Sequence, residues 1–290
     1  MTPREKRKIF ASLINDQEVV LAPGVFDMVS AKLAERESHS ALYMSGYATV
    51  ASYLGLPDAG LASYADMVDR ARLIASAVNV PLIADADTGF GGLLNIQHTV
   101  RGFEDAGVAA IQIEDQEFPK KCGHTVGRRV IAVGDMVEKI KVAVDSRKDT
   151  NFLIIARTDA RTSLGLDDAI GRILAYRRAG ADILFVESPE TESEFEKIAS
   201  SVDAPLLANM VEGGRSPVLP KSRLEQLGYA IAIYPGTGFF AAAAALKGVY
   251  RHLENTGSSL GTNKTLYPIE EMHELMGFRE VWDFEKKWAK

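Results

Sequence analysis

The chain has 290 residues, 47% hydrophobic and 25% charged, enough to bury a large core without disulfides or metal staples, which excludes collagen-like, disordered and low-complexity classes. Lys plus Arg number 33 against 39 Asp plus Glu, a net charge of −6, so non-specific binding to nucleic acid or to an anionic membrane is not expected. The one cysteine, Cys122, excludes an intrachain disulfide and suits a reducing compartment.

The start is basic, but the apolar run at 9–14 is too short for a signal core. The longest apolar run, 239–246, falls far short of a membrane span of about 20 residues. A cytoplasmic protein without membrane contact is therefore expected. Eight short apolar runs then follow in order, at 19–22, 41–44, 81–84, 110–113, 152–156, 183–186, 205–208 and 230–234. They are continuous rather than alternating, which suits strands buried on both faces. Longer amphipathic stretches separate them. The one at 165–176 stops at Ala179-Gly180, and the same glycine stop recurs at Gly107 and Gly228.

Eight such repeats without a Pro/Ser-rich linker predict an α/β fold, a (β/α)8 TIM-type barrel occupying 1–290 as one domain. The stretch 257–290 is expected to add C-terminal helices. Its Trp282, Phe284 and Trp288 recur at near-helical spacing and should dock on the barrel or on a neighbouring subunit. A doubly wound sheet is the alternative. It needs a glycine-rich dinucleotide turn after the first strand, and Ala22-Pro23-Gly24-Val25-Phe26 is not one.

Barrel chemistry sits at the C-terminal ends of strands. Polar residues close six successive runs here: Ser45-Gly46-Tyr47, Asp85-Ala86-Asp87, Glu114-Asp115, Arg157-Thr158-Asp159, Glu187 and Asn209. Each could equally cap the helix that follows. Asp85 and Asp87, one residue apart, point the same way if the strand stays extended. With Asp58 and Glu114 they form an oxygen-rich group suited to Mg²⁺ or Mn²⁺ rather than Zn²⁺, and Mg²⁺ would keep several waters. An Asx turn leading into Gly89 and Gly91 is the structural alternative.

The basic group Lys120, Lys121, His124, Arg128, Arg129 and Arg157 stands out in an acidic protein and suggests an anionic substrate, a solvated loop being the alternative. Cys122, between Lys121 and His124, is expected to have a lowered thiol pKa and to act as a nucleophile or proton donor. With no second cysteine, a zinc role is not expected.

These residues resemble the isocitrate lyase / phosphoenolpyruvate mutase superfamily over about 5–255. The most specific element is Lys120-Lys121-Cys122-Gly123-His124, similar to the catalytic loop of the lyase branch, supported by 85–91 and by Tyr43-Met44-Ser45-Gly46. The resemblance implies retro-aldol cleavage of a small dicarboxylic 2-hydroxy acid. It also implies Mg²⁺ organised by Asp85 and Asp87, partly through water, with Asp58 and Glu114 nearby. Ser45, Gly46, Tyr47 and Arg157 would hold the pyruvoyl fragment. Gly123, His124 and Asn209 would contact the departing carboxylate, and Glu187 would order Arg157 or the substrate. Cys122 would protonate the carbanion, and Tyr43 is the candidate base. A proton donor must start as a thiol, whereas Lys121 and His124 favour the thiolate; a bound dianion would restore the thiol.

Within the family, Phe240 stands where 2-methylisocitrate lyases carry one carboxylate-binding arginine, and a second maps near Met272-His273. An apolar wall would favour an alkyl-substituted malate such as 2,3-dimethylmalate, giving pyruvate and propionate. 2-Methylisocitrate cleavage to pyruvate and succinate, or oxaloacetate hydrolysis or decarboxylation, are the alternatives. Family members form tetramers with exchanged C-terminal helices, so a homotetramer is implied.

Overall fold

The computed structural model describes residues 1–16, 18–125, 127–263 and 265–289. The chain runs α1 (Pro3–Leu13), β1 (Val20–Val25), α2 (Met28–Arg36), β2 (Leu42–Met44), α3 (Gly46–Leu54), α4 (Tyr64–Ala77), β3 (Leu82–Asp85), α5 (Leu93–Asp105), β4 (Ala110–Glu114), α6 (Val133–Ser146) and β5 (Leu153–Thr158). It continues through α7 (Ala160–Leu164), α8 (Leu166–Arg178), β6 (Ile183–Val186), α9 (Glu192–Ser201), β7 (Leu207–Asn209), α10 (Lys221–Leu227), β8 (Ile231–Tyr234), α11 (Thr237–Thr256), α12 (Ile269–Leu275) and α13 (Phe278–Trp288). The eight strands are all parallel, in the order β6-β5-β4-β3-β2-β1-β8-β7. A bridge between Leu184 and Leu206 brings the two ends of that sheet together, giving the nearly closed TIM-type barrel expected from the repeats.

Strand pleating decides what faces the barrel axis. Tyr43, Ile83, Ala110, Leu153, Ile155, Ile183, Phe185, Leu207 and Ile231 cluster inside. Their neighbours Leu42, Met44, Leu82, Ala84, Ile111, Ile154, Leu184, Ala208 and Ala232 pack outward under the helices. Both sets are apolar, which is why the runs read as continuous. Phe10 of α1 joins the inner set and plugs the N-terminal end. The glycine stops are where expected: Gly107, Gly180 and Gly228 all have positive φ just past α5, α8 and α10.

The chain divides into two compact units, Met1–Phe239 and Phe240–Lys290, the division falling inside α11. The first contains the barrel. In the second, α13 leaves Phe278, Val281, Trp282, Phe284 and Trp288 exposed. No helix among the described residues is long and apolar enough to cross a membrane.

Candidate active site

The inward register carries the chemistry. Two residues beyond each inner apolar residue, the same pleat delivers Ser45 after Tyr43, Asp85 after Ile83, Gln112 and then Glu114 after Ala110, Arg157 after Ile155, Glu187 after Phe185, and Asn209 after Leu207. The top layer of the barrel is therefore polar by strand periodicity alone. A small cavity of about 50 Å³ sits there. Of the residues singled out in the sequence, Tyr43, Ser45, Gly46, Tyr47, Asp58, Asp85, Glu114, Lys120, Lys121, Cys122, Gly123, His124, Arg157, Glu187 and Asn209 line it, with Ile233 and Pro235, while Asp87, Arg128 and Arg129 do not. All of these lie within the first unit.

Ser45 caps α3, its hydroxyl accepting from Ala48 N at 3.3 Å, so the helix N-terminus is presented to the cavity. Gly46 is required by closeness: a Cβ there would lie 2.5 Å from Asp85 Oδ2. Tyr47 lines the cavity with its ring edge-on to Phe239.

Asp85 and Asp87 do not converge by strand alternation. β3 ends at Asp85, and Asp87 takes a left-handed conformation, φ 48°, with its amide donating to Asp85 Oδ1 at 3.0 Å. Nor do the four carboxylates enclose a common point. Among the described residues no three His, Cys, Asp or Glu side chains gather as direct ligands of one ion. The reason is Lys120, whose ammonium lies 2.5 Å from both Asp58 Oδ1 and Asp87 Oδ1. Asp85 and Glu114 remain on the cavity side. Burial raises the Asp85 and Glu114 carboxyls against the pull of Lys120 and Arg157, and pushes Asp87 up to about 7 against Lys120. Glu114 Oε1 is buried without a hydrogen-bond partner among the described residues. A hard divalent cation fits this donor set: Asp85 and Glu114 offer oxygen only, one oxygen is orphaned, and the carboxyls are held in a state that an added positive charge would relieve.

Lys120 itself titrates well above an ordinary lysine. Burial opposes its charge, but Asp87, Asp58 and Asp85 outweigh it. Lys121, expected from sequence to act on the Cys122 thiol as a neighbouring cation, is exposed, with its ammonium 3.5 Å from Gly127 O and its backbone held by Gln116. The buried cation of the pair is thus Lys120. The sequence contains no signal that separates the two.

Cys122 is held by its amide on Asp58 O at 3.2 Å. Its thiol is raised, not lowered: burial dominates, the His124 amide and Arg157 pull the other way, and Asp58 and Glu187 push it further up. The expectation of a thiolate is thereby corrected. Burial lowers the His124 pKa despite Glu187, so that ring is not the cation the expectation needed. Its Nδ1 accepts from Arg215 N at 3.4 Å and its Nε2 faces Glu187 at 3.7 Å.

Arg157 is clamped on several sides. Asp159 takes two hydrogen bonds from it, both at 2.9 Å, Glu114 lies at 3.3 Å and Glu187 at 3.4 Å, and the Phe185 ring lies beneath. Asn209 donates to Glu187 Oε2 at 3.0 Å, while its own Oδ1 is buried without a partner among the described residues. Gly123 packs against the Arg157 guanidinium and Glu187, where any Cβ would collide.

Tyr43 does not fit the part of base. Its hydroxyl donates to Gln112 Oε1 at 3.1 Å, and burial first, then Asp85, holds its proton on far above the usual phenol range. Gln112, whose Nε2 reaches Asp85 Oδ1 at 3.4 Å, joins the two residues and was not singled out from sequence. Its signal was a lone amide inside the apolar run 110–113.

The sequence matches the phosphoenolpyruvate phosphomutase family over residues 10–254. The chain belongs to that family, within the PEP mutase / isocitrate lyase superfamily. It is 48% identical to the 2,3-dimethylmalate lyase of Eubacterium barkeri, over 96% of each chain. It is 43% identical to the 2-methylisocitrate lyase of Aeropyrum pernix, covering 97% of this chain and 89% of the relative. Among solved structures it superposes on a phosphonopyruvate hydrolase complexed with oxalate and Mg²⁺ with a TM-score of 0.89 at 30% identity, covering 100% of both chains. This family member is an enzyme of the carbon–carbon lyase group.

Proposed function

We propose that the chain is a Mg²⁺-dependent lyase that cleaves an alkyl-substituted malate, such as 2,3-dimethylmalate, to pyruvate and propionate. The observation that carries this reading is the position of Cys122: its thiol, pushed up by burial, lines the same small cavity as the Asp85 and Glu114 carboxylates and the Arg157 guanidinium. The 48% identity to a protein named for that substrate points the same way.

The chemistry asks for a 2-alkoxide, a broken C2–C3 bond and a proton on C3. Asp85 would hold Mg²⁺ with Glu114 beside it and with Asp58 and Asp87 paired to Lys120, and the ion would supply charge stabilisation to the 2-oxygen and its neighbouring carboxylate. A carboxylate of that group takes the hydroxyl proton. Arg157 and the α3 N-terminus at Ser45, Gly46 and Tyr47 hold the fragment that becomes pyruvate. The C2–C3 electron pair passes to C3 as C2–O becomes the ketone. His124, Asn209 and the Gly123 backbone hold the carboxylate next to the growing carbanion, and Cys122 hands its S–H proton to C3. A low-dielectric cavity makes each of these contacts worth more than in water.

Ile233, Pro235 and Tyr47 supply apolar lining for an alkyl substituent. Within the first unit, the apolar lining at β8 comes from Ile233 of the strand and Pro235 just after it. 2-Methylisocitrate is the second reading, favoured by the 43% identity to a lyase named for it. Incubation with Mg²⁺ and 2,3-dimethylmalate, 2-methylisocitrate, isocitrate or oxaloacetate, with detection of pyruvate and glyoxylate, decides between them. Cys122→Ser should lower turnover by about 10²–10⁴-fold with the fold intact. Unchanged turnover would reject the thiol as acid. We further assign the protein to the cytoplasm as a homotetramer, the exposed aromatic face of α13 being the part offered to another copy. Light scattering in solution tests the assembly.

A further inference from the structure

The loop between β4 and α6 carries two adjacent arginines with opposite fates. Arg129 is exposed and pairs with Glu117 at 2.7 Å. Arg128 is buried, 6% exposed, although Lys121, Thr125, Gly127 and Arg129 around it are exposed. It reaches down to the barrel: Nη1 donates to Asp159 Oδ1, and Nη2 to Thr162 Oγ1 at 2.7 Å. The same Asp159 Oδ1 accepts from Arg157 Nη2, and Oδ2 from Arg157 Nε. One fully buried carboxylate therefore holds the loop and the site arginine together.

Asp159 is itself fixed. Its amide donates to Asp115 Oδ1 at 2.9 Å, and Asp115 Oδ2 is tied to Thr158, Tyr176 and Arg172 at 2.7, 2.6 and 3.2 Å. Asp115 is the first residue of the loop, and its carbonyl accepts from Ile131 N near the loop's end. A second contact joins the same partners, since Gly123 packs directly on the Arg157 guanidinium.

We infer that Arg128 and Asp159 are positioning residues that make the seating of the 115–131 loop and the aim of Arg157 a single event. With the loop lifted, Asp159 keeps only one of its two cations. Arg157 then loses Gly123 from its face and is left to the competing carboxylates Glu114 and Glu187. The role given to Arg157 rests on the lyase reading; the link between loop and arginine does not.

Cys122 is the chain's one cysteine and lies on this loop, so iodoacetamide reports loop seating without any substrate. Arg128→Gln should raise the alkylation rate by about tenfold, and Thr162→Val by about threefold, with melting temperatures within a few degrees of the parent. Removing a cation disfavours the thiolate and by itself slows alkylation, so a faster reaction reports opening rather than charge. With 2,3-dimethylmalate, Arg128→Gln should lower kcat by about tenfold with a smaller change in KM. Alkylation within twofold of the parent in both variants overturns the inference, as does faster alkylation with kcat unchanged. Should Arg128→Gln fail to fold, Thr162→Val decides alone. Failure of oxalate to protect Cys122 in the unaltered chain would count against the lyase reading, while the alkylation difference between variants would still decide the loop's link to Arg157.

Discussion

The two ends of the barrel both bury charge, and they treat it in opposite ways. At the N-terminal end, α1 turns Lys6 and Arg7 inward. Lys6 Nζ donates to Ala75 O and Val78 O at 2.7 and 2.5 Å, and Arg7 donates to Glu104 O and to Val108 O. The Glu104 carboxylate in turn accepts from the amides of Lys148 and Asp149. These groups satisfy carbonyls at the ends of α4 and α5 and the amides at 148–149. At the C-terminal end, the carboxylates of Asp58, Asp85, Asp87, Glu114, Asp159 and Glu187 crowd around the buried cations Lys120, Arg128 and Arg157. There Glu114 Oε1 and Asn209 Oδ1 are left over, and Asp87 is pushed up to about 7. Burial of charge alone does not mark a site. Charge that folding leaves in surplus does, because only an added ligand can balance it.

The largest effect expected from this contrast is on activity at the upper end. Asp85→Asn should lower kcat/KM by at least about 10³-fold, since the isosteric amide removes the central charge that a cation and substrate need. The same change relieves like-charge crowding, so thermal stability should hold or rise. A melting temperature well below the parent would mean that the carboxylate is structural, as Glu104 is.

The converse holds at the lower end. Arg7→Met leaves two buried carbonyls short of a donor and should cost about 1–3 kcal/mol, read as a lower urea midpoint. Turnover per folded molecule should be unchanged. A loss of kcat in this variant would show that the two ends are coupled through the barrel, and the division drawn above would fail.

Much of this was readable in the residues, for a physical reason. Eight apolar runs must become buried strands, and the polar residue that ends each run must then lie at one rim; Ser45, Asp85, Glu114, Arg157, Glu187 and Asn209 follow from that geometry alone. What depends on folding back over the rim was not readable. Lys120 and Lys121 are adjacent and chemically identical, yet one is sealed between Asp58 and Asp87 and the other faces outward. Asp87 reaches its place through the Asx turn that the sequence offered only as the alternative, its amide donating to Asp85 Oδ1 and its φ positive. The state of the Cys122 thiol follows its spatial neighbours and not its neighbours in sequence. Lys121 points away, while desolvation, invisible in a string of letters, dominates.

That last point gives the smallest but most discriminating measurement. A raised pKa means that Cys122 carries its proton throughout the neutral range, so alkylation should climb by about tenfold per pH unit and show no plateau before the ordinary thiol range is passed. The thiol is then ready to give a proton to a carbanion and poorly suited to attack as a nucleophile. A plateau reached near neutrality would reveal a thiolate stabilised by cations, and the upper rim would then have to be redrawn with a surplus of positive charge beside the sulfur. The same profile taken with Asp58→Asn separates the two sources of the shift, since burial and then the Asp58 carboxylate raise the thiol. Burial is untouched by that substitution, so a thiol governed by desolvation keeps its profile, whereas one governed by the acidic cluster moves toward lower pH when a negative charge is withdrawn.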